Sequence, residues 1–527
     1  MALHPKVYTW LCGLFASLGS IIFGYDLGVI AGVLPAKDFI RVMGPRYNNA
    51  NLVGLITSIL VLGCFFGMIP VAYMADRFGR RKTIMSGAAI YVLGGALQTG
   101  AQNMNMMLAG RFFAGFGIGI MSDLAPLYQA EIAHPSIRGR LTTLQQFMLG
   151  IGAFVASWIT YGTSAGLKGL PSEWRVPLGI QIIPAIPLFS FMLLLPESPR
   201  WLAAKGRMDE AQATLARLHA HGDVADPFVV SQMDDIKASL ELSKDEASWK
   251  ELFVVPSNFR RLALGYILQF SVQMTGVSAI QYYSTTIFVT MGFTSSRILL
   301  FQSINSVIAL IGEACCVIYI DRTGRRMPLI IGNVVSGLSF VVGAILMARY
   351  PGTVHNNAAH YIFIFTTWIF NFFFSACIGP LSWAYPSESF STRMRAKGTA
   401  VTSSASWISN FFIAQVTPPA FAAIGWKYYL VFAICGHTNA LFIWAFYPET
   451  TGRRLEEMDA LFTDAPIFVP GTKYAKVEDY RAAERELREG TFVPGHLTEE
   501  GGIFQDDEEA KFSGAGETKY IESTEKI

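Results

Sequence analysis

The stretch Phe23-Gly24-Tyr25-Asp26-Leu27-Gly28-Val29-Ile30-Ala31-Gly32 places one carboxylate inside a segment that is largely apolar from Tyr8 to Leu34. A charge at the centre of a bilayer costs roughly 2.5–3.5 kcal/mol on insertion scales, so it is seldom kept there without a partner or a function. One interpretation is that Asp26 lies at a helix end in water, but the long apolar flank on its N-terminal side favours burial. A buried Asp26 requires a membrane-spanning fold and a counter-charge elsewhere in the chain.

The composition is typical of a membrane protein. Of the 527 residues, 52% are hydrophobic and 15% are charged, whereas soluble domains carry about 25% charged residues. The formal net charge of +2 gives no basis for nucleic-acid binding. The six cysteines lie in apolar segments, which suits buried thiols better than disulfides or a metal site. We expect neither an enzyme nor a cofactor, since the chain has no catalytic constellation, metal-ligand spacing or phosphate-binding Gly-Lys-Ser loop.

Apolar segments of about twenty residues predict an all-α membrane protein with twelve transmembrane helices. We place these helices at 9–32, 52–74, 84–101, 106–128, 143–163, 177–195, 262–288, 299–320, 328–348, 360–384, 399–424 and 428–447. The chain then divides into an N-terminal six-helix half (1–195), a linker of short cytoplasmic helices (196–261), a C-terminal six-helix half (262–447) and a cytoplasmic tail (448–527). The distal part of the tail is polar, which predicts disorder. Lys and Arg concentrate in every second loop, so both termini are expected in the cytoplasm.

Three motifs of the first half recur in the same order in the second. Asp76-Arg-Phe-Gly-Arg-Arg81 recurs as Asp321-Arg-Thr-Gly-Arg-Arg326, the Glu131 and Arg138 pair as Glu388 and Arg395, and Pro196-Glu197 as Pro448-Glu449. Two parallel repeats of six helices imply a pseudo-two-fold axis along the membrane normal, with a binding site between the halves near the midplane.

Together these motifs resemble the sugar porter family of the major facilitator superfamily, over about residues 10–460. The matching segments are Gly24–Gly32, Asp76–Lys82, Arg111 with Pro126–Gly139, Pro196–Leu202, Gly276–Phe288, Asp321–Arg326, Gly379–Glu388 and Pro448–Arg453. The resemblance implies the fold of that superfamily and transport of a monosaccharide or small oligosaccharide by alternating access. It also implies a multi-pass protein that is similar to the sugar transporters of fungal plasma membranes. We expect it to act as a monomer in the lipid bilayer.

The counter-charge for Asp26 is expected to be Arg111, the only basic residue within the fourth apolar span. The resemblance implies that Asp26 is the proton site and that Arg111 modulates it. Burial favours a protonated carboxyl and a nearby guanidinium favours the carboxylate, so separating the pair would let the acid take up a proton. Proton symport is the favoured hypothesis, and a permanent ion pair in a facilitative uniporter or a non-transporting sugar sensor are the alternatives. Asp123 and Glu313 are either further titrating groups or polar partners, in helix-to-helix hydrogen bonding or in the inner vestibule.

Acidic and Arg side chains at the inner helix ends predict a cytoplasmic gate. Its expected members are Asp76, Arg80, Arg81, Glu131, Arg138, Glu197, Asp321, Arg325, Arg326, Glu388, Arg395 and Glu449. Asp76 and Asp321 are expected at helix N-termini, where the partial positive charge of the helix favours a carboxylate. Positive charges placed only for membrane topology would account for the Arg residues but not for the paired Glu residues.

A neutral sugar requires side chains that donate and accept hydrogen bonds, with an aromatic face for its C–H groups. The family pattern assigns these roles to Phe23, Gln146, Gln273, Tyr282, Trp383 and Asn410, and we expect Ser278 and Tyr283 to belong to the same site. Tyr283 is expected to form an outer gate, and any single intramembrane Gln has helix-to-helix hydrogen bonding as its alternative role. The pocket departs from the family at Val272 and Ser278, where a Gln and an Asn are usual. A hexose, pentose, disaccharide, polyol or sugar acid therefore all remain open, although a carboxylated substrate would call for a further basic residue in the pocket.

Overall fold

The computed structural model describes residues 4–133, 135–242, 249–293, 295–354, 356–390, 394–451 and 457–475, and every regular element within these ranges is helical. The spanning helices, labelled in chain order, are α1 (Val7–Val33), α2 (Ala50–Met68), α3 (Arg80–Thr99), α4 (Met104–Ile132), α5 (Pro135–Gly166), α6 (Ser172–Leu194), α7 (Pro256–Thr290), α8 (Ser295–Thr323), α9 (Arg326–Arg349), α10 (Asn357–Ser389), α11 (Arg395–Ile424) and α12 (Lys427–Phe446). The predicted fold of twelve spanning helices is confirmed.

Ten of these helices are long and apolar enough to cross a membrane on that ground alone, and the other two are α3 and α11. α3 begins with the basic residues 80–82, and α11 carries several serines between 403 and 409. Polar side chains are tolerated in a spanning helix where it faces other helices or a polar cavity. α3 packs against α4, and α11 packs against α2 and α7.

Two helices of the second half are irregular at mid-length. α7 is interrupted after Gln273, and Gly276 lies in the left-handed region with φ of 91° before the helix resumes at Val277. A Cβ atom at Gly276 would lie 2.6 Å from the Phe340 ring, so a larger residue would meet both backbone strain and a clash. α10 contains a π-helical turn at Phe374–Ile378. Interruptions of this kind are common at binding sites of transporters.

The glycines of the opening stretch allow α1 to approach α5 closely. A Cβ atom at Gly28 would lie 2.9 Å from the Ala153 carbonyl oxygen, and one at Gly32 would lie 2.7 Å from the Thr160 Cβ atom. Small residues permit such close backbone approach between membrane helices. This contact holds α1, which carries Asp26, against α5.

The two halves meet through α1 with α7, α2 with α11, and α5 with α8. We call the side that carries residue 4 and the linker helices the linker face, and the side that carries the α1–α2 and α7–α8 connections the distal face. Hydrogen bonds cross between the halves toward the distal face: Thr285 Oγ1 donates to the Ala31 oxygen (2.7 Å), Ser58 Oγ to Gln415 Oε1 (2.7 Å) and Ser303 Oγ to the Ser157 oxygen (3.0 Å). The distal ends of the halves are therefore joined directly.

The linker forms four short helices, Pro199–Ala204, Met208–His219, Pro227–Leu242 and Trp249–Val254. The first three bury a small apolar core that includes Leu202, Leu215 and Met233. The beginning of the tail packs under the second half, where a helix at Glu457–Asp464 joins an apolar cluster with α7, α10 and α12. The predicted disorder of the distal tail concerns residues beyond 475, which lie outside the described part of the chain.

Candidate functional site

Asp26 and Arg111 form a fully buried ion pair between α1 and α4. The Arg111 Nη1 atom donates to Asp26 Oδ1 at 2.5 Å, and both side chains are 0% exposed. Arg111 Nε also donates to the Ile56 carbonyl oxygen of α2 at 3.0 Å. The guanidinium is thus held by a backbone group as well as by the carboxylate, which fixes its position within the first half.

The ion pair is only partly satisfied by hydrogen bonds. Asp26 Oδ2 and Arg111 Nη2 are buried without a hydrogen-bond partner in the described part of the chain. Tyr91 of α3 lies close enough to Asp26 to interact with its carboxyl, while its hydroxyl donates to Gln181 Oε1 at 3.4 Å. A buried polar atom without a partner is costly and often marks a functional position. Here it leaves one carboxylate oxygen free to change its bonding.

A central cavity of about 160 Å³ lies between the two halves, which compares with roughly 10–15 Å³ for one water molecule. Its walls combine polar and aromatic side chains from both halves: Phe23, Gln146, Ser157, Gln273, Gln281, Gln302, Asn305, Ser306, Glu313, Asn371, Ser375, Trp383, Ser406, Trp407 and Asn410. Hydroxyl and amide groups with aromatic faces suit a neutral polyhydroxy ligand. Five residues predicted from the family pattern lie in this wall, namely Phe23, Gln146, Gln273, Trp383 and Asn410.

Two predicted residues lie behind the wall and orient its amides. The Ser278 hydroxyl lies 2.5 Å from Gln273 Oε1 and 3.0 Å from Asn410 Oδ1, and the Tyr282 hydroxyl donates to Asn410 Oδ1 at 3.3 Å. With these carbonyl oxygens engaged, the N–H groups of Gln273 and Asn410 are left as donors toward the cavity. Ser278 and Tyr282 therefore support the site and do not line it.

The aromatic part of the wall comes from both halves. Phe23 of α1 packs against Trp407 of α11, with ring centroids 5.5 Å apart. Trp383 of α10 keeps 42% of its surface exposed and lines the same cavity. Such faces contact the C–H side of a sugar ring, while the amides contact its hydroxyl groups. Phe23 also lies three residues before Asp26, which connects the cavity to the ion pair through one helix.

Replacing Gln273 by Ala is expected to raise the apparent KM for the transported ligand about two- to tenfold, because one hydrogen bond contributes about 0.5–1.5 kcal/mol. Uptake kinetics in proteoliposomes measure this change. Gln98→Ala is a matched control, since Gln98 of α3 is also a buried amide and donates to the Gly110 oxygen at 3.3 Å, and neither residue lines the cavity. An unchanged KM for Gln273→Ala would remove Gln273 from the binding site.

Tyr283, the expected outer gate, lies on the distal side of the cavity. Its hydroxyl contacts the Thr57 hydroxyl of α2 across the two halves and donates to the Ala414 oxygen at 2.8 Å. The side chain is 3% exposed. Tyr283 thus links α7 to both α2 and α11 where the distal ends of the halves meet.

Tyr283→Phe is expected to loosen this distal contact, because it removes the hydroxyl that bonds to Thr57 and Ala414. The loss of about 0.5–1.5 kcal/mol shifts a two-state equilibrium about two- to tenfold toward separated distal ends. Hydrogen–deuterium exchange of Val277–Thr290 reports the shift as faster exchange. Tyr47→Phe is the control, since the Tyr47 hydroxyl donates to the Leu34 oxygen within one half. Equal exchange in both variants would rule out a gating role.

The predicted gate residues of the first half form a cluster at the linker face. Arg80 makes a bidentate pair with Glu131, with Nε–Oε2 at 2.9 Å and Nη2–Oε1 at 3.0 Å. Glu197 pairs with Arg81 at 3.3 Å and accepts the backbone N–H of Arg80 at 3.1 Å. Since α3 begins at Arg80, the Glu197 carboxylate lies at the N-terminus of α3, where the helix dipole stabilises it.

The second half repeats this geometry. Arg325 makes a bidentate pair with Glu388 at 3.1 and 2.9 Å, and Glu449 accepts the backbone N–H groups of Arg325 and Arg326 at 2.9 and 3.0 Å. Glu449 thereby caps α9 as Glu197 caps α3. Arg395 donates to the Phe390 oxygen at 3.3 Å. The first cluster thus joins α3 and α4 to the start of the linker, and the second joins α9 and α10 to the start of the tail.

The expected position of Asp76 and Asp321 at helix N-termini is wrong. Asp76 lies in the last turn of the helix Val71–Phe78, its side chain is 77% exposed, and it reaches Arg80 at 3.4 Å. Asp321 lies near the C-terminal end of α8. Gly79 and Gly324 adopt positive φ angles and separate the helices, so each new helix begins after the glycine. The side chains of Asp321 and Arg138 lie outside the described part of the structure.

Several cavity residues were missed by the sequence analysis or left without an assigned role in the site. Gln302, Asn305, Ser306 and Glu313 of α8 all face the cavity, and Gln302 accepts a hydrogen bond from Ser284 at 2.5 Å. Their spacing along the chain repeats with a helical period, which is the signal that marks one face of a helix. Asp123, in contrast, is exposed and does not line the cavity.

Comparison with known proteins agrees with this arrangement. The family described as "Sugar (and other) transporter" matches residues 12–462. The MFS glucose transporter mfs1 of Aspergillus flavus is 32% identical over 523 residues, covering 93% of this chain and 97% of the relative. High-affinity glucose transporter 1 of Candida albicans is 30% identical over 479 residues, covering 87% of each protein.

A solved structure shows the same architecture. The proton:xylose symporter XylE bound to 6-bromo-6-deoxy-D-glucose superposes with a TM-score of 0.72 at 25% sequence identity, covering 87% of this chain and 100% of that chain. The chain therefore belongs to the sugar (and other) transporter family of the major facilitator superfamily, whose members are membrane transporters and not enzymes.

Proposed function

We propose that this protein moves a neutral sugar together with a proton across a membrane by alternating access. The observation that carries the proposal is the fully buried ion pair of Asp26 and Arg111. Asp26 lies on α1, the helix whose Phe23 and Leu27 line the central cavity. A carboxylate inside a membrane helix bundle is the type of group that proton-coupled transporters use. Substrate binding and protonation therefore act on the same helix.

The substrate class follows from the chemistry of the cavity wall. Its described polar groups are mostly amides and hydroxyls, and none of its lining residues carries a positive charge. A sugar acid would bring a carboxylate into a site without a cation to pair with it, which is unfavourable. Glucose transporters and a xylose symporter among the relatives support a hexose or pentose as the first substrates to test.

In this proposal, sugar and proton transport are coupled because Arg111 and a proton compete for the Asp26 carboxylate. While Arg111 holds it at 2.5 Å, the ionised form is stabilised. If sugar binding shifts α1 relative to α4 within the first half, the carboxylate loses its cation in a low-dielectric setting and must take up a proton. The unpartnered Oδ2 atom is the available position for that proton.

The linker face is proposed to be cytoplasmic, with both termini on that side and the protein in the plasma membrane. Basic residues concentrate at this face, as the positive-inside rule requires. We also propose that the two Arg–Glu clusters, centred on Arg80 with Glu131 and on Arg325 with Glu388, form the cytoplasmic gate. The side chains of these two pairs keep only 8–28% of their surface exposed, so the pairs are screened less by water and salt than ion pairs on an open surface.

Uptake by proteoliposomes that contain the purified protein tests the proposal. D-glucose, D-xylose, D-fructose, a disaccharide, a polyol and a sugar acid are supplied with and without an inward proton gradient. We expect a hexose or pentose to accumulate above its external concentration only when the gradient is present. Equilibration without accumulation would make the protein a uniporter with a permanent Asp26–Arg111 bridge. Binding without any transport would make it a sensor.

A further inference from the structure

Glu313 of α8 is a buried acid in the wall of the central cavity. Its side chain is only 6% exposed, and the cavity wall includes it together with Gln146 and Gly150 of α5. Of the described residues that line the cavity, Glu313 alone carries an ionisable side chain. The Asp26–Arg111 pair lies elsewhere, within the first half, so Glu313 is a separate group with its own surroundings.

The contacts of Glu313 leave one carboxyl oxygen without a partner. Gln146, a wall residue of the opposite half, is the side chain that hydrogen-bonds to the carboxyl. Glu313 Oε2 has no hydrogen-bond partner in the described part of the structure. Gly150 makes room for this oxygen, because a Cβ atom at Gly150 would overlap it. The free oxygen therefore lies at the interface of the two halves, next to the ligand cavity.

The groups around Glu313 provide no described counter-charge. α5 presents Gln146, Leu149 and Gly150, and α10 presents Ser375 beside the neighbouring Gly312. α7 meets α8 at the distal end, where Ser284 bonds to Gln302. The tyrosines of α7 face Asn410 and Thr57, and on α8 itself the titratable neighbours are the thiols of Cys315 and Cys316.

An ionised carboxylate in these surroundings depends on water in the cavity for its stabilisation. A bound sugar displaces part of that water and brings no cation to replace it, so binding to the ionised form is penalised. A protonated carboxyl has one O–H donor and retains an acceptor, which matches the paired donor and acceptor character of a sugar hydroxyl. Sugar binding and protonation of Glu313 should therefore favour each other.

We propose that Glu313 is a substrate-binding residue of the central cavity that contacts a sugar hydroxyl in its protonated form, so that sugar affinity falls as the pH rises. This inference rests on the proposed sugar transport and adds a second protonation site to it, distinct from Asp26. Gln146 would hold the carboxyl in place across the interface of the halves, while the second oxygen meets the ligand.

The test measures the dissociation constant of D-glucose, with D-xylose as the second probe, between about pH 5 and 9. Binding to the purified full-length protein is followed by tryptophan fluorescence, since Trp383 and Trp407 line the cavity. We expect the dissociation constant of the wild-type protein to rise at least about tenfold toward alkaline pH. Glu313→Gln keeps the size of the side chain and removes its charge, so its dissociation constant should change much less with pH than that of the wild-type protein, and the remaining change comes from Asp26.

The control and a second measurement keep the test decisive. Glu210→Gln changes an exposed acid on a linker helix and should keep the wild-type profile. Hydrogen bonding from Arg207 lowers the pKa of Glu210, so that carboxyl stays ionised throughout the range. If Glu313→Gln does not fold, proton uptake on sugar binding at alkaline pH is measured in weakly buffered Asp26→Asn protein, where the proposal expects uptake to persist.

The proposal would be overturned if the dissociation constant of the wild-type protein did not depend on pH. It would also be overturned if the dissociation constant of Glu313→Gln changed with pH as that of the wild type does. Absence of proton uptake in Asp26→Asn protein that binds sugar would do the same. The symport proposal fails in a different way, through loss of gradient-driven accumulation by the wild-type protein. The two failures are therefore distinguishable.

Discussion

Asp26→Asn is expected to abolish accumulation of sugar driven by a proton gradient, while exchange of labelled for unlabelled sugar continues. The variant keeps the shape of the side chain but removes the group that takes up the proton. The cavity residues Gln273 and Asn410 are unchanged, so sugar still binds and the halves still rock. Accumulation and exchange are measured in the same proteoliposomes, so that protein amount and orientation cancel.

Asp38→Asn is the matched control for this variant. Asp38 is also buried, but it lies at the distal end of the first half, where it pairs with Arg41 and accepts a hydrogen bond from Trp174 at 3.0 Å. We expect Asp38→Asn protein that folds to accumulate sugar as the wild type does. If Asp26→Asn protein still concentrated sugar against its gradient, Asp26 would not be the coupling site.

Arg111→Leu is expected to destabilise the protein strongly. Removing one partner of a buried ion pair leaves an uncompensated charge and typically costs about 3–5 kcal/mol. The loss of stability is expected to be larger here because the substitution also removes the hydrogen bond that Arg111 Nε donates to the Ile56 oxygen at 3.0 Å. Thermal unfolding of the detergent-solubilised protein should show a clearly lower midpoint temperature.

A double variant separates charge from packing in this prediction. Asp26→Asn combined with Arg111→Leu removes the stranded carboxylate, so we expect the midpoint to recover a large part of the loss seen with Arg111→Leu. Such non-additivity is the signature of a direct interaction. If the double variant were no more stable than Arg111→Leu alone, the ion pair would contribute nothing and the effect of Arg111 would be one of packing.

Much of the fold and part of the site were predictable from the sequence. The apolar segments and the repeated Arg-rich motifs predicted twelve helices in two halves. Asp26 and Arg111 were paired because Arg111 was the only basic residue within its span, and the structure brings the two into contact. Five of the eight predicted sugar-binding residues line the cavity.

The remainder depended on tertiary structure. Asp76 was misplaced because the glycine that follows it, Gly79, ends one helix and lets the next begin at Arg80. The helix-capping role belongs to Glu197, which comes from a position far away in the sequence. Ser278 was expected to contact the ligand, but it lies in the first turn of the helix that resumes after the break in α7, where its hydroxyl is within hydrogen-bond distance of Gln273 Oε1 and Asn410 Oδ1. The two halves are joined at their distal ends by contacts such as that of Thr285 with Ala31. Local sequence patterns do not encode which ends of the halves meet.

The central claim, that sugar and proton move together, is tested most directly by following protons as sugar enters. Wild-type protein is reconstituted into weakly buffered vesicles containing a pH-sensitive dye, and D-glucose or D-xylose is added outside without an imposed pH gradient. We predict acidification of the vesicle lumen that follows sugar entry and disappears in Asp26→Asn vesicles. Sugar entry to equilibrium with no change in lumenal pH would contradict the account.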